Sequence, residues 1–280
     1  MASGQVFHNL RKANEKVTGP PARKLIENAG VFDGPLHDLR ILDNACGGGI
    51  LTRELCALRD QQQESNKTVS SIVAADIDER MLDYVKQLAS GSDWPQVETL
   101  RADQQSMPLQ DESFTHILSS FGIFFSPDDS KVLSETLRLL QTGGVAGFTS
   151  WKYLGWWHDI ALPVLAETFP EAPELPHPAT IFPSQGWNDP VVVRSKIETA
   201  GLKDVRIDEL SFTPETEAAG FAAACAFLVK GMASRLWPKE VFRRYGEEIQ
   251  PSFERFLRAK YEEGRWNGKM IALVAVGRKE

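Results

Sequence analysis

Cysteine is scarce in this chain of 280 residues: Cys46, Cys56 and Cys225 are widely spaced, with no Cys-x-x-Cys pair and no histidine cluster beside them. That excludes a disulfide framework and a zinc site, so no metal is expected. Positive charge is short as well, 31 Lys and Arg against 38 Asp and Glu, a net charge of −7. The balance argues against nucleic acid, whose backbone demands a basic face. No apolar run approaches the ~20 residues of a membrane span, and residues 1–16 hold no signal-peptide core. Internal repeats and low-complexity segments are missing too. The expectation left is a cytoplasmic protein without membrane or nucleic-acid partners. It is long enough for a well-buried core and acts on a small organic molecule as a monomer or homodimer.

What the chain does have is a run of three glycines, in the stretch Ile41-Leu-Asp-Asn-Ala-Cys-Gly-Gly-Gly-Ile-Leu-Thr52. An apolar run ending in Asp43 reads as a buried parallel strand, and the glycines read as a tight turn that opens a helix near Leu51. Glycine suits such a loop because the turn needs disfavoured φ values and because a ligand lies against bare backbone at the positive end of a helix. No Lys follows Gly49 closely enough for a P-loop. A dinucleotide fingerprint needs a third glycine where Thr52 stands. The segment instead resembles the first motif of class I S-adenosylmethionine (SAM) methyltransferases, acidic-x-Gly-x-Gly-x-Gly, with Asp43, Gly47 and Gly49 in place. Ala45 stands where the first glycine usually is, and Cys46 reads as a small side chain in a crowded loop.

Further elements follow in order. Residues 1–30 look helical and amphipathic, with a break at Gly19-Pro20-Pro21. Ser71–Asp76 is an apolar strand ending in an acid, placed so that Asp76 accepts from ribose hydroxyls while Ile77 covers one face of an adenine. Asp78 caps the helix that follows. A third strand lies between Trp94 and Leu100, a fourth over Phe114–Phe121 with His116 packed mid-strand, then a helix from Asp129 and a fifth strand after Gly143-Gly144. Trp151, Trp156, Trp157 and Trp187 fall in an irregular, proline-stiffened stretch that reads either as a cap over an apolar pocket or as an ordinary aromatic cluster. Pro190–Ala200 is a helix and Lys203–Phe212 a strand. Two helices follow over Glu215–Trp237 and Lys239–Tyr261, and a last strand over Lys269–Val276.

This order strengthens the family resemblance. It implies a single Rossmann-like α/β domain over residues 1–280: a seven-stranded, mostly parallel sheet with an antiparallel edge, an N-terminal helical lid at 1–30, a SAM-binding core at 40–150, and a helical and aromatic substrate cap at 151–190 and 214–266. It further implies that Ala45, Cys46, Gly47, Gly49, Asp76, Ile77, Asp103, Gln104, Ser119 and Phe121 hold SAM, leaving S-adenosylhomocysteine as product. Asp103 would accept from the adenine amino group, and Phe124 would join the four tryptophans in the substrate pocket. Leu42–Gly47, Phe121-Gly122, Ser126-Pro127-Asp128, Ser150-Trp151 and Gly186-Trp187 look like fungal secondary-metabolite methyltransferases, in particular those that S-methylate reduced dithiols of the gliotoxin type. Transfer to oxygen or nitrogen, or SAM binding without transfer in a cyclase or regulatory protein, are the alternatives. No His-Asp pair stands out at the expected strand ends, so His158, Asp159 and His177 are the base candidates, each also readable as a surface-loop residue.

Overall fold

A computed structural model of the chain describes residues 2–33, 38–61, 68–91, 97–215 and 217–280, with side chains from residue 15 onward. Trp94 and the connection at 62–67 lie outside the described residues. The chain divides into two compact units. A sheet unit comprises Thr18–Lys152, Phe182–Leu210 and Ala272–Glu280, and a helical unit comprises Met1–Val17, Tyr153–Ile181 and Ser211–Ile271.

The elements run α1 (Ala2–Asn28), β1 (Asp38–Asn44), α2 (Ile50–Gln61), β2 (Thr68–Asp76), α3 (Glu79–Ser90), β3 (Val97–Arg101), β4 (Phe114–Ser120), α4 (Asp129–Leu139) and β5 (Leu140–Leu154). They continue with α5 (Leu162–Thr168), α6 (Pro190–Thr199), β6 (Lys203–Phe212), α7 (Ala218–Leu236), α8 (Lys239–Tyr245), α9 (Ile249–Lys260) and β7 (Met270–Arg278). The seven strands form one sheet in the order β3-β2-β1-β4-β5-β7-β6. The first five are parallel, paired through Asp76 with Arg101, Leu42 with Val73, Leu42 with Ile117, and Ser120 with Thr149. Six of the seven β4 residues are buried, as a central parallel strand covered on both faces requires. Gly143 N–H donates to Lys279 O (2.8 Å) and Lys279 N–H to Gly144 O (3.0 Å), which joins the start of β5 to the end of β7 and makes that pair antiparallel. The last strand in sequence thus lies inside the sheet, and β6 takes the edge.

Strand order reverses between β1 and β4, the topological switch point at which open α/β sheets bind ligands beyond their carboxyl ends. The core below it joins Ala22, Leu25 and Ile26 of α1 to Leu39 and Ile41 of β1, Leu51 and Leu55 of α2, and Val274 of β7. Gly147 of β5 lets α1 come close, since a Cβ there would stand 2.7 Å from Leu25 Cδ1.

Three local expectations are corrected. The break at Gly19-Pro20-Pro21 is absent, and α1 runs through both prolines. Proline inside a helix costs ~3 kcal/mol. Burying Leu25 and Ile26 just beyond returns about 1.5–3 kcal/mol each, so packing outweighs the broken pattern. The single helix over Lys239–Tyr261 is two, parted at Gly246, where a Cβ would meet Phe242 O at 2.7 Å. The stretch after Trp151 is less irregular than its prolines suggest: a π-helical turn at Trp157–Ala161 leads into α5, with Pro163 in the first turn where its missing N–H is harmless.

In the helical unit α7 packs against α9, and Phe221 stacks on Trp266 at 5.2 Å. With 19 residues and mean hydropathy 1.3, α7 is long and apolar enough by composition to cross a membrane, a length of apolar chain the sequence reading did not anticipate. Its Phe221, Cys225, Val229 and Met232 are buried, while Phe227 is 67% exposed.

Candidate active site

The loop after β1 is built from backbone conformations that side chains disfavour. Ala45 has φ 59°, Gly47 50° and Gly49 76°. At Gly49 a Cβ would stand 3.0 Å from Val85 Cγ2, so that glycine lets the loop pack on α3. At Gly47 a Cβ would meet nothing within 4 Å, so this glycine leaves bare backbone facing open space. Asp43 anchors the loop from beneath, fully buried, accepting from Thr52 N–H (3.0 Å) and from the Thr52 hydroxyl (2.6 Å) at the start of α2. Burial pushes its carboxyl pKa up to about 7, with a smaller contribution from the nearby Asp76 charge, against the lowering effect of the Thr52 bonds. Cys46 N–H donates to Ala75 O at 2.9 Å, and burial lifts its thiol pKa far above the usual range. An inert packing residue is what that describes.

Asp76 closes the loop from the side. Gly47 N–H donates to its Oδ2 at 2.8 Å and Asp78 N–H to its Oδ1 at 2.9 Å. A carboxylate accepts about four hydrogen bonds, so two acceptor positions remain. Asp78 caps α3 as expected, through a 3.0 Å bond from Arg80 N–H. Next to Asp76, Ile77 is 64% exposed, an uncovered apolar side chain beside a rim acid. Ala102 N–H donates to Asp76 O (3.1 Å), which brings the end of β3 to the same rim. Asp103 is exposed there, its carboxylate accepting from Gln105 N–H at 2.9 Å. Gln104 Nε2 donates to Gly122 O at 3.2 Å.

Gly122 stood in the sequence only as part of a family motif, with no role assigned. A Cβ on it would lie 2.5 Å from Ala45 Cβ and 2.9 Å from Ser119 Oγ. The chain leaving β4 therefore passes directly over the loop leaving β1. Phe121 accommodates the crossing in the left-handed region, φ 58°, held by a 3.0 Å bond from its N–H to Thr149 Oγ1. The pairing of Ala45 with a glycine in the Phe-Gly dipeptide after the fourth strand is a signal visible only once both are known to meet. Four buried polar atoms near this crossing have no hydrogen-bond partner: Asp43 Oδ1, Asn44 Oδ1, Gln104 Oε1 and Ser119 Oγ. Left-handed backbone and orphaned polar atoms thus meet on one rim.

Aromatic side chains border it within the sheet unit. Phe121 stacks on Trp151 (4.2 Å, 19°), and Phe124 packs against Phe125 (4.9 Å) and Phe182 (4.5 Å). Phe125 was not anticipated. Trp187 is 3% exposed, its Nε1 donating to Asp129 Oδ2 at 2.7 Å and its ring 5.7 Å from Phe148. Its polar edge is committed to α4.

The helical unit holds the remaining candidates. Trp156 and Trp157 are buried, edge to face at 5.8 Å. His158 is exposed and stacks between Tyr153 (5.5 Å) and His177 (5.8 Å). His177 Nδ1 accepts from Ala179 N–H at 3.2 Å, which leaves Nε2 to carry the proton. Burial, and then the neighbouring His158, hold the His177 pKa below its ordinary value. Asp159 Oδ2 accepts from Trp266 Nε1 at 3.1 Å, so this carboxylate supports an indole rather than either imidazole.

Comparison with known proteins agrees with this architecture. Residues 42–148 match the family model described as a methyltransferase domain. The chain is 30% identical to Methyltransferase tpcH of Aspergillus fumigatus over 98% of its own length and 99% of that protein's. It is 27% identical to the acetylaranotin bis-thiomethyltransferase of Aspergillus terreus, covering 91% of this chain and 87% of that one. In fold it is similar to a Bacillus halodurans structure assigned as a methyltransferase (TM-score 0.55, 16% identity, 92% and 98% covered). It is also similar to the Haemonchus contortus phosphoethanolamine N-methyltransferase 2 solved with S-adenosylhomocysteine (TM-score 0.50, 12% identity, 91% and 52% covered). The near-complete alignment with tpcH, the matched domain and the switch-point loop together make this chain a member of the class I SAM-dependent methyltransferases, close to fungal secondary-metabolite enzymes.

Proposed function

We propose that the chain methylates the sulfur of a small thiol or dithiol metabolite, with SAM seated at the crossing of the two loops. The residues present suit that cofactor. The bare backbone at Gly47 and the orphaned Asn44 and Ser119 atoms supply a polar cradle, Asp76 has acceptor positions for a sugar, and exposed Ile77 offers an apolar face for a base. Asp103 and Gln104 stand at the base end of that cradle. When bound, SAM supplies the electrophilic methyl carbon. The chain's own part is alignment and exclusion of water, which can contribute ~7–11 kcal/mol.

The observation that carries the choice of sulfur is the fate of the base candidates. No imidazole–carboxylate pair forms among the three: Asp159 accepts from Trp266 Nε1, His177 Nδ1 accepts from Ala179 N–H, and His158 stacks between Tyr153 and His177. An acceptor that ionises by itself fits such a site: at pH 7 roughly 3% of a free thiol is thiolate, against about 0.1% of a phenol. The bis-thiomethyltransferase relative supports the same reading. Trp151 and Phe124 of the sheet unit would supply apolar walls for the acceptor, and the protein would act in the cytoplasm as a monomer or homodimer.

Incubation with methyl-labelled SAM and matched dithiol, phenol and amine metabolites tests this. Label on sulfur is the expected result. Label on oxygen or nitrogen alone would reassign the acceptor, and no label despite SAM binding would turn the reading toward a cyclase or regulatory role.

A further inference from the structure

A second polar cleft, of about 610 Å³, opens in the sheet unit near the other end of the strands. Val145 in its lining pairs with His116, four residues before Ser120 on β4. At ~3.3 Å per residue this lies roughly 13 Å down the strands from the glycine-loop rim. Three arginines line the cleft from three different elements: Arg194 of α6, Arg206 of β6 and Arg278 of β7. Against them stand Glu198 and Asp204, so the lining keeps a positive excess in a chain whose net charge is −7. Glu198 is itself partly neutralised by Arg194, at 3.4 Å.

Each guanidinium is fixed by a main-chain carbonyl. Arg194 Nη1 donates to Val205 O, Arg206 Nη2 to Asn28 O (3.1 Å) and Arg278 Nη1 to Gly143 O (2.8 Å). Arginine has five N–H donors in a rigid fork. One anchoring bond orients the head and leaves donors for an oxyanion, with less side-chain freedom to lose on binding. Forks held this way suit phosphate oxygens, which take paired, charge-assisted bonds. The volume is in the range of small-molecule sites and exceeds what a lone ion fills. Nothing in the methyl-transfer chemistry uses these three residues.

We propose that this cleft binds a small phosphate-bearing metabolite through Arg194, Arg206 and Arg278, at a site separate from the methyl-transfer centre. The test is calorimetric titration of the full chain with pyrophosphate at low ionic strength, run beside S-adenosylhomocysteine titrations that report an intact cofactor site. Saturable pyrophosphate binding is expected, weakened about tenfold by R194Q or R206Q and about a hundredfold by the double variant, as loss of charged hydrogen bonds implies. The cofactor analogue should bind all of them alike. No saturable heat at millimolar pyrophosphate would overturn the proposal. So would equal binding by the double variant, or an equal loss caused by R80Q on exposed Arg80 of α3.

Discussion

The rim of the sheet unit and the aromatic segment of the helical unit both looked functional in sequence, yet they treat their polar groups in opposite ways. On the rim, Asp43, Asn44, Gln104 and Ser119 keep buried atoms without partners, and Ala45 and Phe121 hold left-handed backbone. In the helical unit the polar groups are satisfied internally: Asp159 by Trp266, His177 Nδ1 by Ala179, Trp237 Nε1 by Pro173 O at 2.8 Å. Buried polar atoms without partners are unfavourable unless something compensates, so four of them beside one rim suit a ligand, whereas the pairing in the helical unit suits packing. The contrast is a better guide to the site than residue type, since tryptophan and histidine are more numerous in the region that shows less sign of binding.

The comparison predicts that rim substitutions act on ligand binding and helical-unit substitutions on stability. Asp76→Ala should act most strongly. It removes the acceptor of Gly47 and Asp78 N–H together, and S-adenosylhomocysteine affinity measured by calorimetry should fall about 100-fold, at the scale of ~1.5–3 kcal/mol for bonds to a charged group. Unchanged affinity would dissociate Asp76 from the cofactor. Gly122→Ala drives a methyl into Ala45 and should cost about 1–3 kcal/mol in urea unfolding, the usual range for overpacking. Adding Ala45→Gly should recover part of that loss, and strictly additive effects would show that the two loops do not meet in solution.

Asp43 gives a smaller, pH-dependent effect. Its folded pKa lies above the unfolded 3.8, so the native state binds the proton more tightly and the contribution of this group is fully present below about pH 4. That contribution is lost as pH rises toward about 7, and the slope of stability against pH is negative across the window. Asp43→Asn, which cannot ionise, should flatten this part of the curve by up to a few kcal/mol in denaturant titrations. A wild-type and variant pair with parallel curves would refute it. The smallest effect is expected from His177→Gln: up to ~1 kcal/mol of stability through the lost cap, and less than threefold on kcat/KM with a thiol acceptor. A hundredfold fall with a shifted pH profile would restore His177 as the base and undo the contrast.

Local chemistry made parts of the fold legible. The apolar run closed by Asp76, the Asp78 cap and the Lys203–Phe212 strand each depend on neighbours a few residues away, and each stands where its pattern put it. What the sequence did not reveal shares another feature. The helix through Pro20 and Pro21 is held by a sheet far along the chain, and the roles of Trp187 and Asp159 depend on Asp129 and Trp266, 58 and 107 residues distant. Phe125 went unnoticed for the same reason, since its packing on Phe182 joins segments that only the fold brings together.

By itself, then, the amino-acid order determined the alternation of strands and helices, the glycine loop after Asp43, the acid closing β2 and hence the family, because these follow from backbone preferences and short-range capping. Only the tertiary structure decided that Gly122 must clear Ala45, that β7 lies inside the sheet, and which polar atoms remain without partners. Those outcomes depend on excluded volume and hydrogen-bond saturation between groups remote in sequence, quantities that exist only once the chain has folded.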